Sequence, residues 1–349
     1  MADARMLVVA PNWLGDAVMA LPALADIRRS HPQSRLAVAA RPAIAPLYSM
    51  VPGVDATIVT EWRGSMMDRR TLAADTHRVN AERADVAVLL PNSFASAWTV
   101  RRAGVKERWG YAADLRRVIL TRAIARPAGS RHQGAYYQHL VAQLGMPNGP
   151  LEPILNIPSV VTDEARTLLM ARGWGESRPL LVVAPGAAYG TAKRWLPAYF
   201  ASVLTRGIRE IGVQGVVVGT PADAASSRLV LASMDATVRT DVIDLTGATT
   251  LPTLAGVLSL SAGCVSNDSG AMHLAGAVGT PLAAIFGPTR EKETSPLTRQ
   301  GGRAEVVINQ VWCRPCMLRE CPIDHRCMTG LRPERVVASI RTLMDVHPS

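Results

Sequence analysis

The sequence predicts an α/β chain of two doubly wound, Rossmann-like domains, and three observations support that prediction. Short runs rich in Val, Leu, Ile and Ala alternate with helical patterns along the whole chain. Such continuous apolar runs are typical of parallel strands that helices cover on both faces. The length of 349 residues suits two domains of ordinary size. A segment with four prolines, residues 146–160, separates the two halves of the pattern and is expected to be the linker.

The composition is that of a globular protein. Hydrophobic residues make up 48% of the chain, charged residues 19%, and the mean hydropathy is +0.12. No apolar run approaches the roughly 20 residues of a membrane-spanning helix, and the N-terminus lacks the long apolar stretch of a secretion signal. We therefore expect a cytoplasmic protein, with a loose attachment to a membrane surface as an open alternative.

The charge indicates an acidic partner. The formal net charge is +10, and only Lys106, Lys193 and Lys292 among the 38 basic residues are lysines. A genomic bias toward arginine is one explanation. Arginine also binds phosphate through a planar fork of donors, which suits an anionic substrate. A nucleic-acid partner is not expected, because the arginines are dispersed, aromatic residues are only 5%, and no DNA-binding motif spacing occurs.

The first half, residues 1–150, is expected to form one Rossmann-like domain. Its predicted strands are 6–10, 36–40, 56–59, 86–90 and 118–121, and its clearest helical patterns are 16–29, 93–102 and 133–144.

The second half, residues 151–332, is expected to form the other domain, followed by a C-terminal helix within residues 333–349. Its predicted strands are 180–184, 215–219, 242–245, 263–267, 282–286 and 304–308. Two such domains are expected to place the carboxyl ends of their strands around a shared cleft, where open α/β sheets bind ligands.

The segment "VVAPGAAYGTAKRW" (182–195) has the composition of an anion-binding loop. Gly186 and Gly190 allow backbone amides to turn toward an anion, Thr191 adds a hydroxyl, and Lys193 adds a compact positive charge. Neither the Walker spacing nor a GxGxxG occurs here. An ordinary strand-to-helix loop with a surface lysine is the alternative.

The segment "SNDSGAMHLAGAVGTP" (266–281) predicts a helix start directly after a buried strand. Asp268 or Ser269 suits the N-cap, Gly270 opens the helix, and His273 lies one turn further on. Free amides at a helix start stabilise a nearby anion by ~0.3–1 kcal/mol. We expect this segment and the loop with Lys193 to flank one diphosphate.

The segment "APNWLGDAVMALPALADIRR" (10–29) predicts a turn at Gly15 and a helix with Asp16 at its head. An aspartate there is commonly only an N-cap. Because the turn follows the first strand of its domain, the carboxylate is also suited to face the cleft as a general base.

Four of the five cysteines lie close together, in Cys313-x2-Cys316-x4-Cys321-x5-Cys327. Cys264 lies in an apolar run and is expected to be buried. In a reducing cytosol the cluster is either a structural metal site, with His325 as a further ligand, or a packed group of reduced thiols. We favour the thiols and expect no metal.

Taken together, these motifs resemble those of the bacterial lipopolysaccharide heptosyltransferases. The resemblance covers nearly the whole chain and is strongest in "NWLGDAVMALPAL", "PGAAYGTAKRW", "DLTGATTL", "SNDSGAMHLAGAVGTPLAAIFGPT" and "CRPCMLRECPIDHRCM". The Trp-Leu-Gly-Asp start and the cysteine segment are closer to the enzymes that add the second heptose of the inner core. The resemblance implies the GT-B fold, an inverting transfer from ADP-heptose to a phosphorylated lipid A-core acceptor, and no metal or other cofactor. It also leaves open a peripheral contact with the cytoplasmic face of the inner membrane.

The resemblance also implies roles for individual residues. Asp16 is the expected general base and Lys193 the expected diphosphate partner. Asp223 is expected to hold the ribose hydroxyls, and Thr249 falls near the expected adenine site. The remaining donor contacts are expected from Gly15, Gly186, Gly190, Thr191, Asp268, Ser269, Gly270 and His273.

The chain departs from the family pattern at one point. The heptosyltransferase I enzymes of the family carry paired hydroxyl residues shortly before the lysine, where this chain has Ala188 and Tyr189. Two rival interpretations stay open: a related glycosyltransferase with another sugar or acceptor, and a non-catalytic protein that binds nucleotide sugars.

Overall fold

The chain divides into two compact units, Met1–Asn156 and Ile157–Ser349. The computed structural model describes residues 4–62 and 68–345, and the boundary lies inside the proline-rich segment 146–160. Each unit contains a six-stranded sheet whose neighbouring strands all pair in parallel. None of the helices in the described ranges is long and apolar enough to cross a membrane.

The N-terminal unit has the strand order β3-β2-β1-β4-β5-β6, so the chain reverses its direction of winding between β1 and β4. Its strands are β1 (Arg5–Val9), β2 (Arg35–Ala40), β3 (Ala56–Val59), β4 (Val86–Leu89), β5 (Glu107–Tyr111) and β6 (Arg122–Ile124). Its helices are α1 (Leu14–Met19), α2 (Leu21–Ser30), α3 (Arg69–Ala81), α4 (Phe94–Arg102) and α5 (Gln133–Gln143).

The C-terminal unit has the order β12-β11-β10-β7-β8-β9, and its reversal point lies between β7 and β10. Its strands are β7 (Leu180–Ala184), β8 (Gln214–Val217), β9 (Val242–Asp244), β10 (Gly263–Asn267), β11 (Leu282–Phe286) and β12 (Ala304–Ile308). Its helices are α6 (Ser159–Ala171), α7 (Pro197–Arg206), α8 (Ala224–Ala232), α9 (Ala236–Arg239), α10 (Leu251–Ser259), α11 (Gly270–Val278), α12 (Glu291–Thr294), α13 (Arg326–Thr329) and α14 (Pro333–Asp345).

The central strands are buried along their whole length, which explains their continuous apolar sequences. All five residues of β7 and of β10 are buried. The core of the C-terminal unit also contains Trp195 and Phe200, whose rings meet edge to face with centroids 5.1 Å apart. Val336 and Ile340 of α14 belong to the same core, so the last helix is part of this unit.

One predicted strand is wrong and another was missed. Residues Arg116–Val118 form a 3-10 helix instead of the start of a strand at 118–121, and the strand follows at Arg122–Ile124. The missed strand is β5, Glu107–Tyr111, whose first two residues are a charged, half-buried pair. A search for continuous apolar runs does not detect such a strand. The other predicted strands agree with the observed ones to within two residues.

The single helix predicted at 16–29 is also wrong, because α1 ends at Met19 and α2 begins at Leu21. The cause is Pro22, which has no N–H for the carbonyl of Val18 and whose ring crowds that carbonyl. Asp16 therefore lies on a separate helix of six residues directly after β1.

Candidate active site

The structure brings Lys193 and Asp268 together at the reversal point of the C-terminal sheet. Lys193 lies in the loop after β7, which we call the Lys193 loop (residues 185–196), and Asp268 directly follows β10. The lysine Nζ is 2.7 Å from Oδ2 of Asp268, and the two side chains are 14% and 5% exposed. Thr289, which follows β11, donates its hydroxyl to the same Oδ2 at 2.7 Å. The carboxylate thus fixes the lysine where open α/β sheets bind ligands.

Asn267 positions the Lys193 loop, a role that the sequence did not reveal. Its side chain is fully buried, and Oδ1 accepts the Trp195 amide at 3.0 Å while Nδ2 donates to the Pro185 carbonyl at 2.8 Å. One amide side chain therefore holds both ends of the loop. The only signal in the sequence was a polar residue in the last position of a buried strand.

The Lys193 loop also explains Gly190. A Cβ at this position would lie 2.3 Å from the carbonyl oxygen of Arg319, so only glycine allows that approach. The amide of Ala192 donates to the same carbonyl at 2.9 Å, and the amide of Lys193 donates to Gly190 at 3.3 Å. The amides of Ala192 and Lys193 are therefore already bonded within the protein, and the expectation that Gly186 and Gly190 turn backbone amides toward an anion stays a prediction. Thr191 is exposed, so its hydroxyl is accessible to a ligand.

Asp223 and Gly186 lie against each other, although 37 residues of sequence separate their loops. A Cβ on Gly186 would be 2.3 Å from Oδ1 of Asp223. The other oxygen, Oδ2, accepts the amide and the hydroxyl of Thr220 at 2.9 and 2.7 Å. These bonds orient the half-buried carboxylate at the carboxyl end of β8. Thr249, also half-buried, lies between β9 and α10 on the same edge of the sheet.

The prediction that Asp268 or Ser269 is the N-cap residue of α11 is confirmed for Ser269. Ser269 occupies the N-cap position without a capping bond, and its Oγ lies 3.2 Å from that of Ser266. The carboxylate of Asp268 is held by Lys193 and Thr289 instead, because a lysine 2.7 Å away is a stronger partner than a backbone amide. Gly270 begins the helix as expected, and His273 is buried in its first turn.

Asp16 is not the N-cap of α1, because Trp13 holds that position. Gly15 is the second residue of the helix, so the expected turn at Gly15 is wrong as well; the chain turns at residues before Leu14. Asp16 is half-buried in the first helical turn, at the reversal point of the N-terminal sheet. Its location after β1 leaves a carboxylate where a ligand of this unit would bind.

Tyr137 of α5 is a neighbour of Asp16 that the sequence did not reveal. Its hydroxyl donates to Oδ1 of Asp16 at 3.5 Å, across 121 residues of sequence. Burial, and next the negative charge of Asp16, raise the pKa of Tyr137 well above its ordinary value. Tyr137 therefore stays protonated and donates its hydroxyl to the carboxylate of Asp16.

All five cysteines are free thiols, and Cys264 is buried as expected. Burial, and next the other three clustered cysteines, raise the pKa of Cys327 to about 11, so its thiol is protonated at neutral pH. Within residues 4–62 and 68–345, no group of three or more His, Cys, Asp and Glu side chains is arranged to hold a metal ion. The alternative of a structural metal site gains no support from the described residues.

A lysine–carboxylate pair and a helix start lie at one reversal point, and a half-buried carboxylate lies at the other. This arrangement suits a two-unit transferase that uses a nucleotide-activated donor. The model of glycosyltransferase family 9 (heptosyltransferase) matches residues 73–326, and the chain belongs to that family.

Relatives cover nearly the whole chain. It is 28% identical to lipopolysaccharide heptosyltransferase 2 of Salmonella typhimurium, over 98% of this chain and 99% of that protein. The structure of ADP-heptose lps heptosyltransferase II from E. coli is 26% identical, covers 97% of this chain and 98% of its own, and superposes with a TM-score of 0.82. A family 9 glycosyl transferase from Veillonella parvula, 21% identical over 99% of both chains, has the same fold with a TM-score of 0.84. The expected α/β class, two Rossmann-like units of GT-B type, is confirmed.

Proposed function

We propose that this glycosyltransferase transfers L-glycero-D-manno-heptose from ADP-heptose to heptosyl-Kdo2-lipid A, with inversion at the anomeric carbon. The names of the relatives along the full length of the chain support the sugar and the acceptor class. The observation that carries the proposal is the buried Lys193–Asp268 pair at the reversal point of the C-terminal sheet, 2.7 Å apart. A lysine held there suits a leaving nucleoside diphosphate.

The C-terminal domain, residues 151–332 with the helix in 333–349, is proposed to bind the donor. Asp223 accepts the ribose hydroxyls through the oxygen that faces Gly186, since its other oxygen is occupied by Thr220. Thr249 lies nearest the adenine. The diphosphate contacts Lys193 and Thr191, and the start of α11 adds amide donors at Ser269 and Gly270. Asp268, already paired with Lys193, is better suited to accept a sugar hydroxyl than to face phosphate oxygens.

The N-terminal domain, residues 1–150, is proposed to bind the acceptor and to supply the base. The carboxylate of Asp16 takes the proton from the attacking hydroxyl, whose oxygen forms the new bond to the anomeric carbon of heptose. The bond between that carbon and the diphosphate breaks on the opposite face, and ADP leaves with the electron pair. Lys193 stabilises the negative charge that grows on the departing oxygen. No metal or cofactor takes part in this proposal.

The net charge of +10 supports an acceptor that carries phosphates and carboxylates. Protein of this kind would work in the cytoplasm and meet its acceptor at the cytoplasmic face of the inner membrane. No nucleic acid is proposed as a partner.

An exposed apolar turn on the N-terminal unit supports a peripheral membrane contact. Leu115 and Val118 are 89% and 85% exposed. Between them, Arg116 is fully buried and donates to the carbonyls of Tyr111 and Pro91, which anchors the turn from inside. Arg117 is exposed beside the two apolar side chains. Apolar residues flanked by arginine suit the headgroup region of an anionic bilayer.

Cosedimentation with phosphatidylglycerol vesicles tests this contact. A variant with Leu115→Ser and Val118→Ser should lose most of the binding. A control with Leu229→Ser and Val160→Ser, two exposed apolar residues of the C-terminal unit, should bind like the wild type. Equal binding by all three proteins would contradict the proposed contact.

The transfer itself is tested with purified protein, ADP-heptose and heptosyl-Kdo2-lipid A. Mass spectrometry should find an acceptor heavier by one heptose, and NMR should find the inverted anomer. Transfer only from another nucleotide sugar, or only to another acceptor, would indicate a related transferase of the family. ADP-heptose binding without transfer to any of a series of truncated acceptors would indicate a non-catalytic binding protein.

A further inference from the structure

The cysteine-rich segment, residues 312–327, is docked on the Lys193 loop. The Arg319 carbonyl accepts the Ala192 amide at 2.9 Å, and Nε2 of His325 lies 2.7 Å from the Ala192 carbonyl. The hydroxyl of Tyr189 donates to the carbonyl of Met317 at 3.1 Å. Gly190 also lies close to the Arg319 carbonyl. These contacts involve three residues of the segment, Met317, Arg319 and His325. The segment is therefore built onto the loop that carries Lys193.

This docking places a second cation, Arg319, on the same tyrosine ring that Lys193 contacts. Nζ of Lys193 is 5.0 Å from the centroid of the Tyr189 ring, and the guanidinium carbon of Arg319 is 5.1 Å from the same centroid. The two cationic groups consequently lie no more than about 10 Å apart. Both distances are within the range of a cation–π contact, which holds the arginine without neutralising it.

The two cations differ in their charge balance. Lys193 is paired with the carboxylate of Asp268, so much of its charge is already compensated. Arg319 is exposed and forms no ion pair with any carboxylate of the described residues. A nucleoside diphosphate carries more than one negative charge, and one lysine shared with an aspartate does not balance it. An uncompensated arginine with a planar fork of donors is suited to the remaining phosphate oxygens.

We propose that Arg319, supported by the ring of Tyr189, is the second diphosphate-binding cation of the donor site. The proposal rests on the donor site proposed above and adds a residue from the cysteine-rich segment to it. It also assigns a purpose to Tyr189, which stands where the heptosyltransferase I enzymes carry one of their paired hydroxyl residues. In this proposal the ring of Tyr189 acts by holding the guanidinium of Arg319, whereas a hydroxyl residue would donate directly to the diphosphate.

Calorimetry with ADP and with AMP tests the proposal on the full chain. Arg319→Ala should raise the Kd for ADP roughly tenfold, the loss expected for one charge-assisted hydrogen bond. Its Kd for AMP should change less than about twofold, because the contact is assigned to the diphosphate. Arg319→Lys should recover part of the ADP affinity, since it keeps the charge and loses the fork. The matched control is Arg332→Ala, because Arg332 is likewise exposed and lies over a tyrosine ring, that of Tyr199.

The outcomes separate this inference from the proposed function. If the wild type binds ADP and Arg319→Ala binds it with the same Kd, the assignment of Arg319 is wrong and the donor site stands. An equal loss of ADP and AMP affinity would also overturn it, because it would show a disturbed loop instead of a lost diphosphate contact. If the wild type itself binds no ADP, the proposed function fails first.

Discussion

Replacing Lys193 by alanine should destabilise the protein and weaken ADP binding by two separable mechanisms. The variant leaves the Asp268 carboxylate, which is 5% exposed, with the Thr289 hydroxyl as its remaining side-chain partner among the described residues. Removing one partner of a buried ion pair typically costs 3–5 kcal/mol. We expect about 3 kcal/mol, because Thr289 keeps one hydrogen bond and Lys193 itself is 14% exposed. Urea unfolding followed by circular dichroism measures the change.

A double variant separates stability from binding. Lys193→Ala with Asp268→Asn removes both charges, and the amide oxygen can still accept from Thr289. Its free energy of unfolding should return to within about 1 kcal/mol of the wild type. Its ADP affinity should stay reduced by roughly ten- to a hundredfold, the value of one charge-assisted hydrogen bond to phosphate. Calorimetry with ADP provides that number for both variants.

Two results would refute this reasoning. If the double variant regained wild-type ADP affinity together with its stability, Lys193 would act only as the partner of Asp268. If Lys193→Ala unfolded at the wild-type urea concentration, the pair would contribute nothing to stability and the burial argument would be wrong.

Three further predictions concern the loop, the nucleotide and metals. Asn267→Ala leaves the Trp195 amide and the Pro185 carbonyl without their partner. Urea unfolding should therefore show a free energy of unfolding lower by about 3 kcal/mol, and calorimetry should show weaker ADP binding. Unchanged stability would argue against the positioning role of Asn267. Calorimetry should find tighter binding of ADP than of UDP or GDP, and the reverse order would overturn the assignment of Thr249 to the adenine. The transfer rate should be the same with and without excess chelator, and elemental analysis should find no stoichiometric zinc. A content of about one zinc per chain that is lost on replacing Cys313 and Cys316 would contradict the second expectation.

The sequence predicted those strands that are buried on both faces, because their apolar runs are continuous. It failed at β5, where Glu107 and Arg108 are only half-buried and break the apolar run. The prediction also joined α1 and α2 into one helix across Pro22, because amphipathic periodicity does not show that proline lacks a backbone N–H. The proline is visible in the sequence, so considering its missing N–H would have corrected this helix prediction.

The site could be predicted only in part. The carboxyl ends of neighbouring parallel strands lie at one edge, so a common location for Lys193 and Asp268 followed from the predicted strands. The bonds of Asn267 to the two ends of the Lys193 loop span 72 and 82 residues, and the contact of Tyr137 with Asp16 spans 121. Such contacts depend on how separate elements pack and on side-chain rotamers, which no local pattern in the sequence encodes.

The most direct test of the account is the transfer rate of Asp16→Asn with ADP-heptose and heptosyl-Kdo2-lipid A. The asparagine keeps the size of the side chain and can still accept from Tyr137, so fold and ADP affinity should be those of the wild type. Loss of the base should lower the rate roughly 10²–10⁴-fold. Asp163→Asn, which changes an exposed carboxylate of α6, should leave the rate unchanged and is the matched control. Turnover of a folded Asp16→Asn variant within a few-fold of the wild type would contradict the proposed base and, with it, the mechanism.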